Sequence, residues 1–374
     1  MKKESPAFTS KAGFTLVEML VATAVLVLLI VMVSQLTNSA IFTTTNSRKH
    51  MDTDSQARTI FDRMANDFDR MVRRTDVDYI FYKNPAGASG SPGVNDAFFF
   101  YSEVPAYYST APSPASQSTA ALVGYRINSN NTYYAGVPVL ERLGKGLTWD
   151  GSTGNSLPGG PVFLTTPSGN ATPLAASFLD ANWIAIGTAA NNYSDGTDPD
   201  YHVLSDQAYR LEIAFLLADG TTSTIPVTNP ATSTNNLGAS GPPGTGSDTT
   251  QHYTPGSRWF DTSAGGRGYI CTNATAGAAV WNPIGIKDVS AVIVTIAILD
   301  LNSRKTITNT ASMVGALRDP IATDFATFPV NVMAQSWATI VNSGSFAASS
   351  DIPKVAASQV RIYQRYFYIN GITE

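Results

Sequence analysis

Glu18 is the side chain of this sequence that most needs a chemical explanation. It is a lone carboxylate inside the stretch Phe14 to Leu36, where the other strongly polar side chain is Gln35 near the far end. Thr15, Thr23 and Ser34 can bond back to helical carbonyls, but an ionised carboxylate in an apolar medium costs several kcal/mol unless a cation meets it. A second group with chemical capacity is Asp195, Asp198 and Asp200, which stand with Asn191, Asn192 and the Gly196 backbone in an oxygen-rich loop. Hard cations such as Ca²⁺ take ligands of this kind. The spacing matches no EF-hand, however, and Asp-Gly, Asp-Pro and Asn-Asn are ordinary turn chemistry, so a simple turn is the preferred reading. No cofactor other than this calcium is expected. His50, His202 and His252 stand in no metal or triad spacing, and Cys271 has neither a nearby histidine nor a CxxC partner. Nothing points to an enzyme.

The element that carries Glu18 is about the 20 residues needed to cross a hydrocarbon core. Lys2, Lys3 and Lys11 precede it, which places the leader in the cytoplasm and the rest of the chain outside. A cleaved signal peptide wants small residues at the end of the apolar run. Ala22-Thr23-Ala24 lies within the run, and Asn38-Ser39-Ala40 puts a polar residue where a small one is preferred. A lipoprotein needs a cysteine at the cleavage point, and the single cysteine is Cys271. A plain signal anchor stays open, but it gives no reason for Glu18 at that depth.

The basic leader, Gly13-Phe14-Thr15-Leu16-Val17-Glu18 and the apolar run together resemble the type IV pilin and pseudopilin superfamily. The resemblance implies that a prepilin peptidase cuts after Gly13 and that Phe14 becomes an N-methylated terminus. It also implies that Glu18 pairs with the terminal amine of a neighbouring subunit, which gives the buried charge the cation it requires. The implied partners are the peptidase, other pilin or pseudopilin subunits, an inner-membrane assembly platform, and membrane lipid before assembly. The implied location is the bacterial inner membrane, single-pass, with the C-terminal domain periplasmic and the subunit passing into an envelope or surface filament.

The chain has 374 residues, of which 14% are charged, with a formal charge of -4, 29 glycines and 21 prolines. Nothing in that balance suggests a nucleic-acid surface, and it fits an extracytoplasmic β-rich domain with long loops. One cysteine allows no intramolecular disulfide, so packing must supply the stability.

Thr37 to Arg74 contains no Pro or Gly, so the helix is expected to continue through it. Ile60, Met64, Phe68, Met71 and Val72 recur at helical spacing, and Asp62, Arg63, Asn66, Asp67, Asp69 and Arg70 are assigned to a solvated face. The cluster Thr43 to Asn46 is the weakest point. The charged run from Asp62 to Arg74 is also similar to the J-type minor pseudopilins of type II secretion systems. Beyond it, strands are expected at Asp78 to Tyr82, Ala97 to Tyr101, Ala121 to Ile127, Pro138 to Arg142, Trp183 to Gly187, Tyr209 to Leu217, Val289 to Asp300 and Ser358 to Ile369. Val289 to Leu299 reads as a central strand buried on both faces, and the last strand as half exposed. Tracts rich in Gly, Pro, Ser and Thr at 84–95, 109–120, 150–173 and 228–256 are expected to be surface loops or partly disordered.

Residues 255–285 resemble a small aromatic β-hairpin module of phage tail and other surface proteins. It is either an exposed contact element or a self-packed hairpin with Trp259 and Trp281 as its core. The preceding Gly241-Pro242-Pro243-Gly244-Thr245-Gly246-Ser247 resembles the phosphate loop of AAA-type ATPases. It has Ser247 in place of lysine, and neither a leading strand nor a following helix is expected, so nucleotide binding is rejected.

The expected fold is α+β and pilin-like, a long N-terminal helix packed on an antiparallel sheet with long loop insertions. Its parts are a cleaved leader (1–13), a membrane or filament-core helix (14–36), an amphipathic continuation (37–74) and an extracytoplasmic domain (75–374). The expected function is a minor pseudopilin or minor pilin subunit of a type II secretion-like or type IV pilus-like filament. The alternative is a single-pass anchored binding protein or adhesin.

Overall fold

The computed structural model describes residues 15–73, 79–82, 95–107, 117–128, 137–146, 201–262, 266–307, 331–342, 346 and 352–369. The chain divides into two compact units at Met51/Asp52. Helix α1 (Leu16–Asp69) begins in the first and ends in the second. In the first unit its apolar side chains are exposed, from Leu16 to Met51, and this part is long and apolar enough to cross a membrane. Three of its hydroxyls bond back within the helix: Thr23 Oγ1 donates to the Leu20 carbonyl at 3.0 Å, Thr37 to Val33 at 2.8 Å and Thr43 to Ser39 at 2.9 Å. The polar cluster Thr43 to Asn46 is helical throughout.

The second unit follows in the order β1 (Ile80–Tyr82), β2 (Ala97–Ser102), the short β3 (Ala106–Tyr107) and β4 (Gln117–Ser118), β5 (Ala121–Asn128), β6 (Val139–Gly146), β7 (Tyr201–Ser205), β8 (Ala208–Leu217) and β9 (Thr222–Ser223). Next come β10 (Asn236–Ala239), β11 (Arg258–Asp261), β12 (Arg267–Asn273), β13 (Val280–Pro283) and β14 (Val289–Ile298). Short helix α2 (Leu301–Arg304), helix α3 (Asn331–Asn342), short helix α4 (Lys354–Ala357) and β15 (Arg361–Tyr368) complete it. The architecture is α+β, as expected, with three principal sheets ordered β1-β2-β5-β6-β7, β15-β14-β8-β9 and β10-β11-β12-β13. All pairings are antiparallel except β10 with β11.

Strand β14 lies between β8 and β15, which explains its apolar composition without alternation. Val292, Val294, Ile296 and Ile298 join a core with Ile60, Met64 and Phe68 of α1. Ile293, Ala297 and Leu299 face the other way, against Met333 and Trp337 of α3 and Ala356 of α4. The sheet is therefore covered on both sides, and the second helical layer was not anticipated from the sequence. β14 stops at Ile298 rather than Asp300 because the Asp300 carboxylate caps α2, accepting from the Asn302 and Ser303 amides at 3.2 and 3.1 Å. β15 likewise begins at Arg361 rather than Ser358, since Lys354–Ala357 is helical.

The five-stranded sheet joins the β14 sheet at the edge of β8. There the Leu211 amide donates to Asn95 Oδ1 at 2.8 Å and the Ile213 amide to Asp96 Oδ2 at 2.8 Å. Helix α1 ends at Asp69, short of the expected Arg74. The chain turns there because Met71 bridges Ser102 and the Val72 amide donates to the Tyr101 carbonyl at 2.8 Å.

Residues 228–256 are mostly turn and irregular chain, as their composition suggested. They contribute β10, which pairs with β11, and a 3-10 turn at Thr249–Gln251. Short polar side chains do the work that apolar burial cannot: Asn235 Nδ2 donates to the Pro230 carbonyl at 2.8 Å, and Asp248 Oδ1 accepts from the Thr250 amide at 2.8 Å. The expected strand at Trp183 to Gly187 and the tract 150–173 lie outside the described residues.

Candidate assembly segment and its buried anchor

Thr15 and Glu18 form a reciprocal cap at the head of α1. The Thr15 amide and Thr15 Oγ1 both donate to Glu18 Oε2 at 2.9 Å, and the Glu18 amide donates back to Thr15 Oγ1 at 3.3 Å. The Thr15 carbonyl accepts from the Met19 amide at 3.2 Å, so the helix opens here. A carboxylate three residues after a capping threonine satisfies amides that helix geometry leaves unpaired, and it sits at the positive end of the helix dipole. The spacing Thr15-x-x-Glu18 was present in the sequence as the signature of such a box, and the reading of Glu18 as an intersubunit partner passed over it. Among the described residues Thr15 is the partner of the Glu18 carboxylate, through Oε2. Gly13 and Phe14 lie outside the described residues, as do Asp195, Asp198 and Asp200. No group of three or more His, Cys, Asp or Glu with metal-site geometry occurs among the described residues.

The far end of α1 carries the residue that the sequence reading misplaced. Asp67 was assigned to the solvated face, yet it is fully buried. Arg142 of β6 grips it with two bonds, Nε to Oδ2 at 2.6 Å and Nη2 to Oδ1 at 2.9 Å. Tyr125 of β5 donates its hydroxyl to the same Oδ2, and Ser102 Oγ donates to the Asp67 carbonyl at 2.8 Å. Burial pushes the Tyr125 hydroxyl well above its ordinary pKa, with the Asp67 charge adding to it. For Arg142 burial acts to lower the pKa, and the hydrogen bonds and charge of Asp67 outweigh it, so the guanidinium is held more firmly protonated. Gly144 completes the arrangement, because a Cβ there would collide with Arg142 Nη1.

Tyr363 and Arg365 tie β15 to the same helix. Tyr363 donates to Asp54 Oδ1 at 2.5 Å, and Arg365 Nη1 donates to Asp62 Oδ1 at 3.0 Å. Burial, then the bond to Asp54, raises the Tyr363 hydroxyl to about 12.

The aromatic module is larger than the hairpin expected at 255–285. Trp259, Trp281 and Tyr253 pack ring on ring at 5.3 to 5.8 Å in a core with Tyr269 and Cys271, which is the self-packed arrangement. Val227, Phe260 and Ile284 form a second small core, and the indole nitrogens of Trp259 and Trp281 donate to the Gly241 and Ser247 carbonyls at 2.8 and 2.9 Å. The Gly241–Ser247 segment therefore does have a strand before it and a 3-10 turn after it, contrary to expectation. The turn has three residues, and the Asp248 carboxylate occupies its N-terminus, accepting from the Gly277 amide at 2.6 Å. No phosphate site is left there.

With this geometry in place, comparison with known families gives one match: residues 9–34 fit the prokaryotic N-terminal methylation motif. The chain carries a prepilin-type N-terminal segment, of the type IV pilin and pseudopilin kind, at the head of its long apolar helix. Comparison with curated proteins and with solved structures gives no match.

Proposed function

We propose that this chain is a minor pilin or minor pseudopilin subunit. A prepilin peptidase removes the leader after Gly13, Phe14 becomes the N-methylated terminus, and the subunit enters a type II secretion-like or type IV pilus-like filament through α1. The observation that carries this reading is the capped Glu18 at the head of an exposed apolar helix inside the matched segment. The cap uses Oε2, leaving Oε1 for a cation supplied by a neighbour, and burying that pair among apolar helices then costs far less than burying the carboxylate alone. Members with such a segment are structural subunits, which agrees with a chain whose charged clusters serve packing. The finer assignment to J-type minor pseudopilins rests on the likeness of residues 62–74 and on the size of the domain. We place the leader in the cytoplasm and the second unit on the periplasmic side of the inner membrane.

Mass spectrometry of the native N-terminus tests this: a chain starting at N-methylated Phe14 supports it, and an intact leader or a cut near Ala40 overturns it.

A second reading is an anchored binding protein or adhesin, favoured by the ordered module at 225–286. Among its described residues from Asn229 to Asn282 no Asp, Glu, Lys or Arg is exposed, so the module presents hydroxyl, amide and small apolar groups. Replacing Glu18 with Ala separates the two readings, since it should abolish assembly and leave a displayed monomer unchanged.

A further inference from the structure

The apolar contacts of α1 leave its axial setting on the five-stranded sheet nearly degenerate. Ile60, Met64 and Phe68 follow one another at intervals of four, as do Ala57, Phe61 and Ala65. A slide of one turn lays apolar on apolar along the middle of this face, with Gln56 at the place of Ile60 or Asp69 at the place of Ala65 at its ends, and cores accept exchanges of hydrophobic shape when total volume is kept.

Asp67 removes the degeneracy. The residues three and four positions from it are Met64, Arg70, Arg63 and Met71. A one-turn slide sets either a second guanidinium or a thioether against Arg142 and Tyr125, leaving a buried Arg142 without an anion. Either outcome is a strong penalty, because an uncompensated charge inside a protein is costly. Gly144 sharpens the choice, since its missing Cβ is the space through which the Arg142 side chain passes to reach the helix.

We propose that Asp67, Arg142 and Tyr125 form a register lock, a specificity device that selects one axial setting of α1 on the sheet. It fixes which residues of α1 face the sheet. The consequence for assembly rests on the function proposed above: subunits packed side by side must share one setting for each Glu18 to meet the amine of a neighbour. The lock itself belongs to the folded second unit and stands or falls without any filament.

The test uses the full chain in detergent with spin labels on the exposed positions Asn66 of α1 and His202 of β7, the buried Cys271 being left in place. The wild-type chain should give a single label-to-label distance. The double variant Asp67→Leu with Arg142→Met replaces the ion pair by apolar groups of similar volume and should still melt cooperatively. It should then show a second distance, displaced by up to about 5 Å, one helical turn. A single unchanged distance in the cooperatively melting double variant overturns the proposal, because the remaining ties of α1, Tyr363 to Asp54, Arg365 to Asp62, Val72 to Tyr101 and its apolar contacts, would then set the register without the lock. A double variant that no longer melts cooperatively also overturns it, since the pair would be holding the fold together rather than choosing between settings.

Discussion

Arg73 donates from Nη1 to the Ile369 carbonyl at 2.9 Å and from Nη2 to the Val289 carbonyl at 2.6 Å. One side chain just beyond the end of α1 thus clamps the first residue of β14 to the residue that follows β15. Desolvation lowers its pKa from the usual arginine value, yet a guanidinium stays charged throughout the working range. Arg73→Ala should lower unfolding free energy by about 1–3 kcal/mol, because two charge-assisted bonds are lost and two carbonyls lose their donor. Arg73→Lys should recover only part of this, since an ammonium cannot span both carbonyls with a planar fork. Urea denaturation of the three proteins checks the order.

Asp67→Ala should be the most damaging single change among the charged residues of α1. It strands Arg142 inside the core, at a cost on the order of 3–5 kcal/mol. Replacing both partners by apolar residues should recover most of that loss. If Asp67→Ala and Asp62→Ala, a change at an exposed ion pair, prove equally mild by chemical denaturation, the anchor described for Asp67 is wrong.

Alkaline pH should weaken the contact between β15 and α1. The Tyr363 hydroxyl has a folded pKa of about 12 against an ordinary 10, so the folded state holds a proton that the unfolded state releases. That stability is complete below pH 10 and is lost as pH rises toward 12. Melting temperatures recorded from pH 9 to 12 should fall, and Tyr363→Phe should fall less steeply over the same window. Identical slopes would exclude Tyr363 as a contributor.

The head of the helix offers a cleaner separation of two roles. Glu18→Gln keeps an oxygen to accept from Thr15 and loses the charge, whereas Glu18→Ala loses both. If charge pairing with a neighbour is what assembly needs, both variants should be equally defective in the filament fraction sheared from cells. If the cap alone matters, Gln should assemble and Ala should not.

In the module, Trp281→Ala removes a large ring packed against Tyr253 and Trp259 and should cost about 3–5 kcal/mol of local stability. Near-ultraviolet circular dichroism should lose the aromatic signal of the module, while far-ultraviolet helicity from α1 persists.

Much of this could be read from residue pattern. The apolar run and the helix beyond it follow from length and a 3.6 period, and the strands at β2, β5, β8 and β14 from short β-branched and aromatic runs bounded by turn formers. Asp67 was misread because its charge outweighed its position: it lies seven residues after Ile60 and three after Met64, which is the apolar face. A buried carboxylate on such a face is only explicable once Arg142 is known to face it, and 75 residues of sequence hide that meeting. The α3 layer was not legible although Met333, Trp337 and Val341 recur every four residues, since three apolar positions in a short helix do not show which sheet face they cover. Residues 228–256 form the mainly irregular chain expected, and only β10 and the 3-10 turn within them were not legible, because they are held by Asn and Asp side chains bonding to backbone, and composition records those residues as loop formers.

The module leaves the sheet after β9 and returns at β14, and both of those strands are hydrogen-bonded to β8. Leu217, the last residue of β8, pairs directly with Val289, the first of β14, so β9 and the module together fill a gap between adjacent antiparallel strands that an ordinary hairpin turn could close. Asp288 stands at this junction, accepting from the Thr228 amide at 3.1 Å and Arg258 Nε at 3.0 Å. An ancestral chain could therefore gain, lose or trade this entire block without altering how the helix sits on its sheets, and diversity among kindred chains should concentrate there.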